Sequence, residues 1–283
     1  MPVPRSSVTD SYARLREVLP SLAVTELTAD EALPDGGGWV PATALAEGGT
    51  ALEAFLAWDE AQVARDYGQR ARPDVIATFG LHRYAWPACL LFTVPWFLHR
   101  RVPRLPAAHV AYDRAAAGLP LGRLAVRVDG FACLPGDPAA ALPGARVVAD
   151  EEALRAELRA AVADHLTPVL AGFGPRMRRR GRALWGMATD EVVEGLWYVA
   201  HLLGEEEPER ARRELELLLP GATRPYVGTA AFRELTGPDG EKLPTRERAS
   251  CCMFYTLRPE QICAACPRVP EADRVGRLLA QAG

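Results

Sequence analysis

The feature that most constrains this chain is a group of cysteines near its C-terminal end, in the segment RASCCMFYTLRPEQICAACPR. Cys251 and Cys252 are adjacent, ten residues separate them from Cys263, and two residues separate Cys263 from Cys266. A Cys-x-x-Cys loop lets two thiolates converge on one metal centre, and the ten-residue excursion returns a second pair to the same place. The spacing therefore predicts a metal site with four thiolate ligands.

The expected compartment favours metal binding over disulfides. The N-terminal sequence MPVPRSSVTDSYARLREVLP lacks the apolar run of a secretory signal and is typical of a short amphipathic helix. The most apolar stretch, 84–98, is interrupted by Pro87 and Pro95 and is shorter than the roughly 20 residues that span a bilayer. We expect a cytoplasmic protein without a transmembrane helix, in which clustered thiols bind metal more often than they form disulfides.

The remaining composition points to no other chemistry. A hydrophobic content of 49% is ordinary for a globular chain, and 283 residues can bury a full core. The net charge of −3 gives no reason to expect nucleic acid as a partner. The sequence has no convincing catalytic triad, phosphate-binding glycine loop or nicotinamide fingerprint. The cysteine segment is therefore the part that predicts chemistry.

Spacing alone leaves the metal open between zinc and iron. Structural zinc sites usually present two Cys-x-x-Cys knuckles, and adjacent cysteines suit them poorly because successive side chains in extended backbone point to opposite sides. A two-iron cluster offers ligand positions on two irons, so neighbouring cysteines can both be used more easily. The spacing favours [2Fe–2S] only slightly.

A family resemblance adds to this interpretation. The pattern Cys-Cys-x10-Cys-x2-Cys, with Arg248 three residues before it, Tyr255 within it and Pro267 directly after it, resembles the FhuF-type ferric siderophore reductase family. The upstream segment RALWGMA is also similar to a segment of that family.

The resemblance implies a cytosolic [2Fe–2S] protein that passes one electron to a ferric siderophore, of the hydroxamate type. It implies that the cluster ligands are Cys251, Cys252, Cys263 and Cys266, with no catalytic residue beyond the cluster. Because the chain has no flavin or nicotinamide motif, we expect a separate electron donor, a ferredoxin or a flavoprotein.

Two other functions stay open at this point. In the first, zinc on the four cysteines braces a helical binding module that is not an enzyme. In the second, the chain is a ligase related to the siderophore synthetases, whose C-terminal region resembles this family. The length of the chain leaves little room for the nucleotide site that a ligase needs.

The predicted fold class is α+β, mostly helical, with a small antiparallel sheet near the middle and an irregular cysteine-bearing C-terminal segment. Thr50 and Glu53 suggest a capping box for a helix that ends at Gly68. Asp150 can cap another helix, and the residues around the pair Asp129-Gly130 predict a β-hairpin over 121–134. Further helices are expected to begin near Pro73 and to cover about 184–203 and 208–219. We expect three regions: a mixed helix and hairpin region at 1–150, a helical region at 151–245 and the cluster-binding segment at 246–283.

Some residues have both a functional and an ordinary interpretation. Arg178, Arg179 and Arg180 lie in the one dense basic run, which could dock an acidic donor, an anionic siderophore or anionic lipid, although a solvated loop is favoured. Arg248 and Tyr255 could tune the cluster or simply pack beside it.

The apolar stretch with Trp86, Phe92, Trp96 and Phe97 could make a peripheral membrane contact, but burial in the core is favoured. Cys89 and Cys133 are expected to be buried. The five histidines are scattered and are not expected to be ligands.

Overall fold

The computed structural model describes residues 8–282. It is 54% helix and 15% strand, which confirms the prediction of a mostly helical α+β fold. The helices are α1 Thr9–Val18, α2 Ala42–Glu47, α3 Gly49–Tyr67, α4 Pro73–His99, α5 Glu151–Met177, α6 Gly181–Leu203, α7 Glu207–Leu218 and α8 Glu271–Ala282. The strands are β1 Leu22–Glu26, β2 Val40–Pro41, β3 Arg101–Pro103, β4 Val110–Asp113, β5 Gly122–Val126, β6 Phe131–Cys133, β7 Ala145–Val147, β8 Pro220–Gly221, β9 Gly228–Thr229, β10 Phe232–Thr236 and β11 Lys242–Arg246.

Helix α4 is the centre of the hydrophobic core. It packs against α1, α3, α5 and α6, and almost every side chain from Tyr84 to Phe97 is buried. Phe92, Trp96 and Phe97 are in that core, so the membrane-contact interpretation of this stretch is wrong and the core interpretation is confirmed. None of the described helices has both the length and the apolar character needed to cross a membrane.

The two prolines inside α4, which interrupt the apolar stretch in the sequence, do not interrupt the helix. Pro95 has no backbone N–H and cannot bind the carbonyl oxygen of Leu91, four residues earlier. The hydroxyl of Tyr12, on α1, donates a 3.0 Å hydrogen bond to that oxygen instead. A side chain from a neighbouring helix thus satisfies the acceptor that the proline leaves free.

The predicted hairpin over 121–134 is wrong. β5 pairs in parallel with β1 and antiparallel with β4, in a sheet of order β1-β5-β4-β2. β6 pairs antiparallel with β3 and in parallel with β7, in a second sheet. The backbone N–H of Arg127 continues the β4 pairing through His109, whereas the carbonyl of Gly130 accepts from Arg104 beside β3. The residues between β5 and β6 therefore pass from one sheet to the other, and both sheets are mixed.

Most helix boundaries agree with the sequence. Asp150 caps α5, since its Oδ1 accepts a 2.9 Å hydrogen bond from the N–H of Ala153. Gly68 ends α3 in the left-handed conformation. The capping box at Thr50 and Glu53 is wrong, because α3 already begins at Gly49 and Glu53 forms an ion pair with Arg176. α8 was not expected from the sequence. The division of the chain at 150 and 245 stays a prediction.

Gly172, on α5, lies where that helix presses against the C-terminal end of α2. A Cβ atom added there would collide with the backbone oxygen of Leu45 and lie 2.7 Å from that of Ala46. We expect Gly172→Ala to lower the free energy of unfolding by about 1–3 kcal/mol, because backbone on both sides resists the shift. Gly181→Ala is the control, since no atom lies within 4 Å of its added Cβ. Urea unfolding measures both, and an unchanged midpoint for Gly172→Ala would contradict the close approach.

Candidate functional site

The four predicted ligand cysteines line one cavity of about 310 Å³. The cavity lies between the cysteine segment and two helices of the core. Tyr67, from the end of α3, and Phe79, His82 and Arg83, from α4, form the wall opposite the cysteines. The structure therefore brings together two pairs of thiols that the sequence separates by ten residues.

The four thiols differ in exposure. Cys266 is buried, Cys251 and Cys252 are half-buried, and Cys263 is exposed; all four are free. No three His, Cys, Asp or Glu side chains among residues 8–282 are arranged so that they could hold one metal ion. The cysteines share a cavity wall in this structure, and the soft sulfur donors are the chemistry that iron–sulfur clusters use.

Short turns shape the cysteine segment. Met253 has a positive φ of 67°, and its N–H donates a 3.4 Å hydrogen bond to Sγ of Cys251. The N–H of Cys266 donates to the carbonyl of Cys263 at 3.1 Å, which closes the Cys-x-x-Cys turn. Hydrogen bonds from backbone N–H groups to ligand sulfur are one of the levers that set the potential of a bound cluster.

Helix α8 forms hydrogen bonds to the backbone of the cysteine segment. Arg274 donates to the carbonyl of Cys266 at 3.3 Å, and Arg277 donates to the carbonyl of Ile262 at 2.8 Å. The cysteine segment is thus held from behind by a helix that follows it directly in the chain.

A buried carboxylate on α6 binds the backbone just before the first cysteine of the segment. Asp190 is fully buried, and its two oxygens accept from the N–H of Ala249 at 2.9 Å and from both the N–H and the hydroxyl of Ser250 at 2.8 Å. It also binds the guanidinium of Arg246 at 2.7 Å. These bonds end at the residue before Cys251, so Asp190 fixes the position from which the adjacent cysteines start.

Arg248 lines the cavity and is surrounded by the acidic residues of α6. Its guanidinium lies 3.4 Å from Glu194, 3.7 Å from Asp190 and 3.9 Å from Glu191. Burial favours the neutral form, but the three carboxylates outweigh it, and the pKa of Arg248 is raised. Arg248 therefore keeps a fixed positive charge at the cavity wall.

His82 brings a second basic group to the cavity. Its Nδ1 lies 2.8 Å from the buried carboxylate of Glu191, while 38% of the side chain stays exposed. Burial lowers the pKa of His82, but the Glu191 carboxylate more than offsets this, so the pKa is raised above its usual value. The sequence did not single out this histidine.

Two of the four thiols, those of Cys251 and Cys263, hold their protons more tightly than free cysteine. Desolvation by the cavity walls raises the pKa of the Cys251 thiol, and it raises the pKa of Cys263 to about 11. Because metal binding requires thiolates, loading this site must release protons, and metal affinity rises with pH.

The other predicted site residues differ in their relation to the cavity. Tyr255 lines the cavity, with the guanidinium of Arg268 4.3 Å from its ring centre. Arg179 donates a 3.1 Å hydrogen bond to the carbonyl of Cys251, so this member of the basic run supports the cysteine segment. Arg178 and Arg180 are exposed, and a docking role for them stays a prediction.

The site residues that sequence reasoning missed are three acidic side chains of α6. Asp190, Glu191 and Glu194 lie within one and a half turns of a helix whose other residues are mostly apolar. A buried charge needs a charged or hydrogen-bonding partner, and here those partners, Arg246, Arg248 and His82, lie far from α6 in the chain, so no local pattern pointed to these residues. Cys89 and Cys133 are buried away from the cysteine cavity, as expected.

We expect Asp190→Asn to destabilise the chain by about 1–3 kcal/mol, because it removes one of the two carboxylates that pair with the buried Arg246 guanidinium and leaves only Glu194. It should also lower the iron bound per chain after reconstitution, because Ser250 loses its anchor. Asp113→Asn is the matched control, since Asp113 is a buried carboxylate paired with Arg123 outside the cavity. Unfolding and iron analysis are measured together, and equal iron loss in both variants would contradict a positioning role for Asp190.

Comparison with known families agrees with the geometry. Residues 248–268 match the family model described as FhuF 2Fe-2S C-terminal domain, a range that contains all four cavity cysteines as well as Arg248 and Tyr255. A search of curated proteins finds no match to the chain. The prediction of an FhuF-type [2Fe–2S] motif is therefore confirmed for residues 248–268, the part of the chain that matches the family model.

Proposed function

We propose that the protein is a cytosolic one-electron reductase of ferric siderophores, with hydroxamate chelates as substrates. The observation that carries this proposal is the single cavity lined by the four thiols of the matched segment, one of which, Cys263, is exposed. The family description names the cluster type. A cluster held at the surface can exchange electrons with partners that never enter the protein core.

The proposed ligands are Cys251, Cys252, Cys263 and Cys266, and a cluster held by them would supply one electron at a time. That electron converts the chelated Fe(III) to Fe(II), and no bond of the siderophore needs to break. Ferric iron is held tightly by hydroxamate oxygens and ferrous iron much less tightly, so reduction releases the metal. A ferredoxin or flavoprotein returns the electron.

The protein's own residues supply the environment for this exchange. Thiolates bring negative charge to the cavity, and the guanidinium of Arg248 offsets part of it from a fixed position. Phe79 and Phe254 line the same cavity and keep part of its wall apolar. Limiting water and fixing a nearby positive charge are two means by which a protein sets a cluster potential.

The ligand set is tested by single replacements. Cys252→Ser should lose or destabilise the cluster, because it removes one of the four proposed thiolate ligands. Cys133→Ser should keep it, since Cys133 lies in β6, away from the cavity. Visible absorbance after anaerobic reconstitution is the measurement, and zinc, which is colourless, would give no such band. A normal [2Fe–2S] spectrum in Cys252→Ser would rule out ligation by the adjacent pair.

The reaction is tested with reduced, cluster-loaded protein. A ferric hydroxamate siderophore should reoxidise it, and Fe(II) should appear as the ferrozine complex. Ferrozine draws the reaction forward, since each shift of about 59 mV in a one-electron potential changes the equilibrium tenfold. The gallium complex of the same siderophore cannot accept the electron and is the control. If the ferric complex leaves the cluster reduced even with ferrozine present, the proposed reductase function is wrong.

A further inference from the structure

A second cavity, of about 250 Å³, lies beside the cysteine cavity. His82 and Arg83, neighbours on α4, line both of them and so form a wall that the two spaces share. The proposed function leaves this second cavity without a role.

The walls of the second cavity are aromatic and basic. Trp58, on α3, and Trp86, on α4, are both half-buried and contribute indole surface. The guanidinium of Arg114 lies 4.4 Å from the ring centre of Trp58, and that of Arg83 lies 5.7 Å from it. Two cations are thus held against one aromatic ring, a contact that fixes their positions.

The balancing carboxylate is turned away from the cavity. Asp59 lies 2.6 Å from Arg114 and 3.0 Å from Arg83, but only 1% of its side chain is exposed. Arg83 keeps 31% of its side chain exposed. Among the described residues that line this cavity there is no Asp or Glu. A ligand in this cavity can therefore contact the guanidinium groups directly, whereas the Asp59 carboxylate lies behind them and out of reach.

We propose that this second cavity binds the organic periphery of the siderophore and selects chelates that carry a carboxylate or another anionic group. The proposal rests on the reductase function and deepens it, since it names the part of the protein that recognises the substrate. Arg83 pairs with the anionic group, and Trp58 and Trp86 cover the apolar part of the ligand. Placement beside His82 brings the ferric centre next to the cysteine cavity.

The size of the cavity fits one arm of a chelate. Small-molecule sites commonly measure about 300–1,000 Å³, so 250 Å³ is too small to enclose a whole trihydroxamate complex. One arm enters while the chelated metal stays outside or at the boundary with the cysteine cavity. Recognition then depends on the peripheral group, and charge at that group should control affinity.

The first test compares two ligands that share one metal-binding core. Gallium desferrioxamine B carries an ammonium group, and succinylation of its amine replaces that group with a carboxylate. The cluster-loaded wild-type protein should bind the succinylated complex about tenfold more tightly at low salt, and added salt should reduce the difference. Titration calorimetry gives both dissociation constants without any electron transfer. Equal affinities would overturn the proposal.

The second test uses variants with matched controls. Arg83→Gln should remove most of the preference for the succinylated complex, whereas Arg146→Gln, which alters a carboxylate-paired arginine in a different cavity, should keep it. Trp58→Leu should weaken both gallium complexes several-fold. Trp39→Leu is its control, because Trp39 also contacts a guanidinium, that of Arg123 at 4.6 Å, but lies outside this cavity.

Failure of this inference is distinguishable from failure of the reductase function. Gallium binding by Arg83→Gln and Trp58→Leu involves no electron transfer, whereas reoxidation by the ferric complex is measured on wild type, so the two failures appear in different experiments. If both variants bind the gallium complexes as wild type does, the cavity assignment is wrong, even where the ferric complex still reoxidises the wild-type cluster. If wild type binds neither gallium complex, the cavity assignment is wrong as well.

Discussion

The cysteine site depends on one buried carboxylate. Asp190 stands on α6, inside the core, and binds the backbone of Ala249 and Ser250 together with the guanidinium of Arg246. A carboxylate without water is costly unless charged and polar donors surround it, so the chain leading to the cysteines has to pass here. The hydrogen bonds that give the Asp190 carboxylate its partners also place Cys251 at the cavity.

Core packing and the site are consequently connected through two helices. α4 supplies most of the core, and at Phe79, His82 and Arg83 it also forms the cavity wall. α6 packs against α4 and carries the acidic residues that bind the cysteine segment. The polar groups that border the site belong to α4 and α6, whereas the cysteines lie on irregular backbone. Contacts with these two helices therefore fix a segment that has little regular structure of its own.

The sequence was sufficient for features that depend on local chemistry. The cap at Asp150, the end of α3 at Gly68 and the burial of Cys89 and Cys133 follow from residues next to one another in the chain. The cysteine motif is likewise local, and its family resemblance is confirmed. The hairpin prediction failed because alternating apolar residues identify strands but not their partners, and β5 and β6 pair with distant segments in different sheets. Local sequence also gives no sign of how α4 tolerates Pro95, because the hydroxyl that binds the carbonyl of Leu91 belongs to α1.

The acidic group of α6 shows why the rest of the site was out of reach. Read along the chain, Asp190, Glu191 and Glu194 are ordinary helix-surface residues, since their partners lie more than fifty residues later or, for His82, more than a hundred residues earlier. Only the fold shows that they face inward and that Arg246, Arg248 and His82 converge on them. The consequence is an ordered arrangement of charge: Asp190 and Glu191 are buried, and Arg248 and His82, which pair with them, line the same cavity as the thiols. The proposed cluster with four thiolate ligands would carry negative net charge, so the same ion pairs that let α6 bury its carboxylates would also place compensating positive charge beside it.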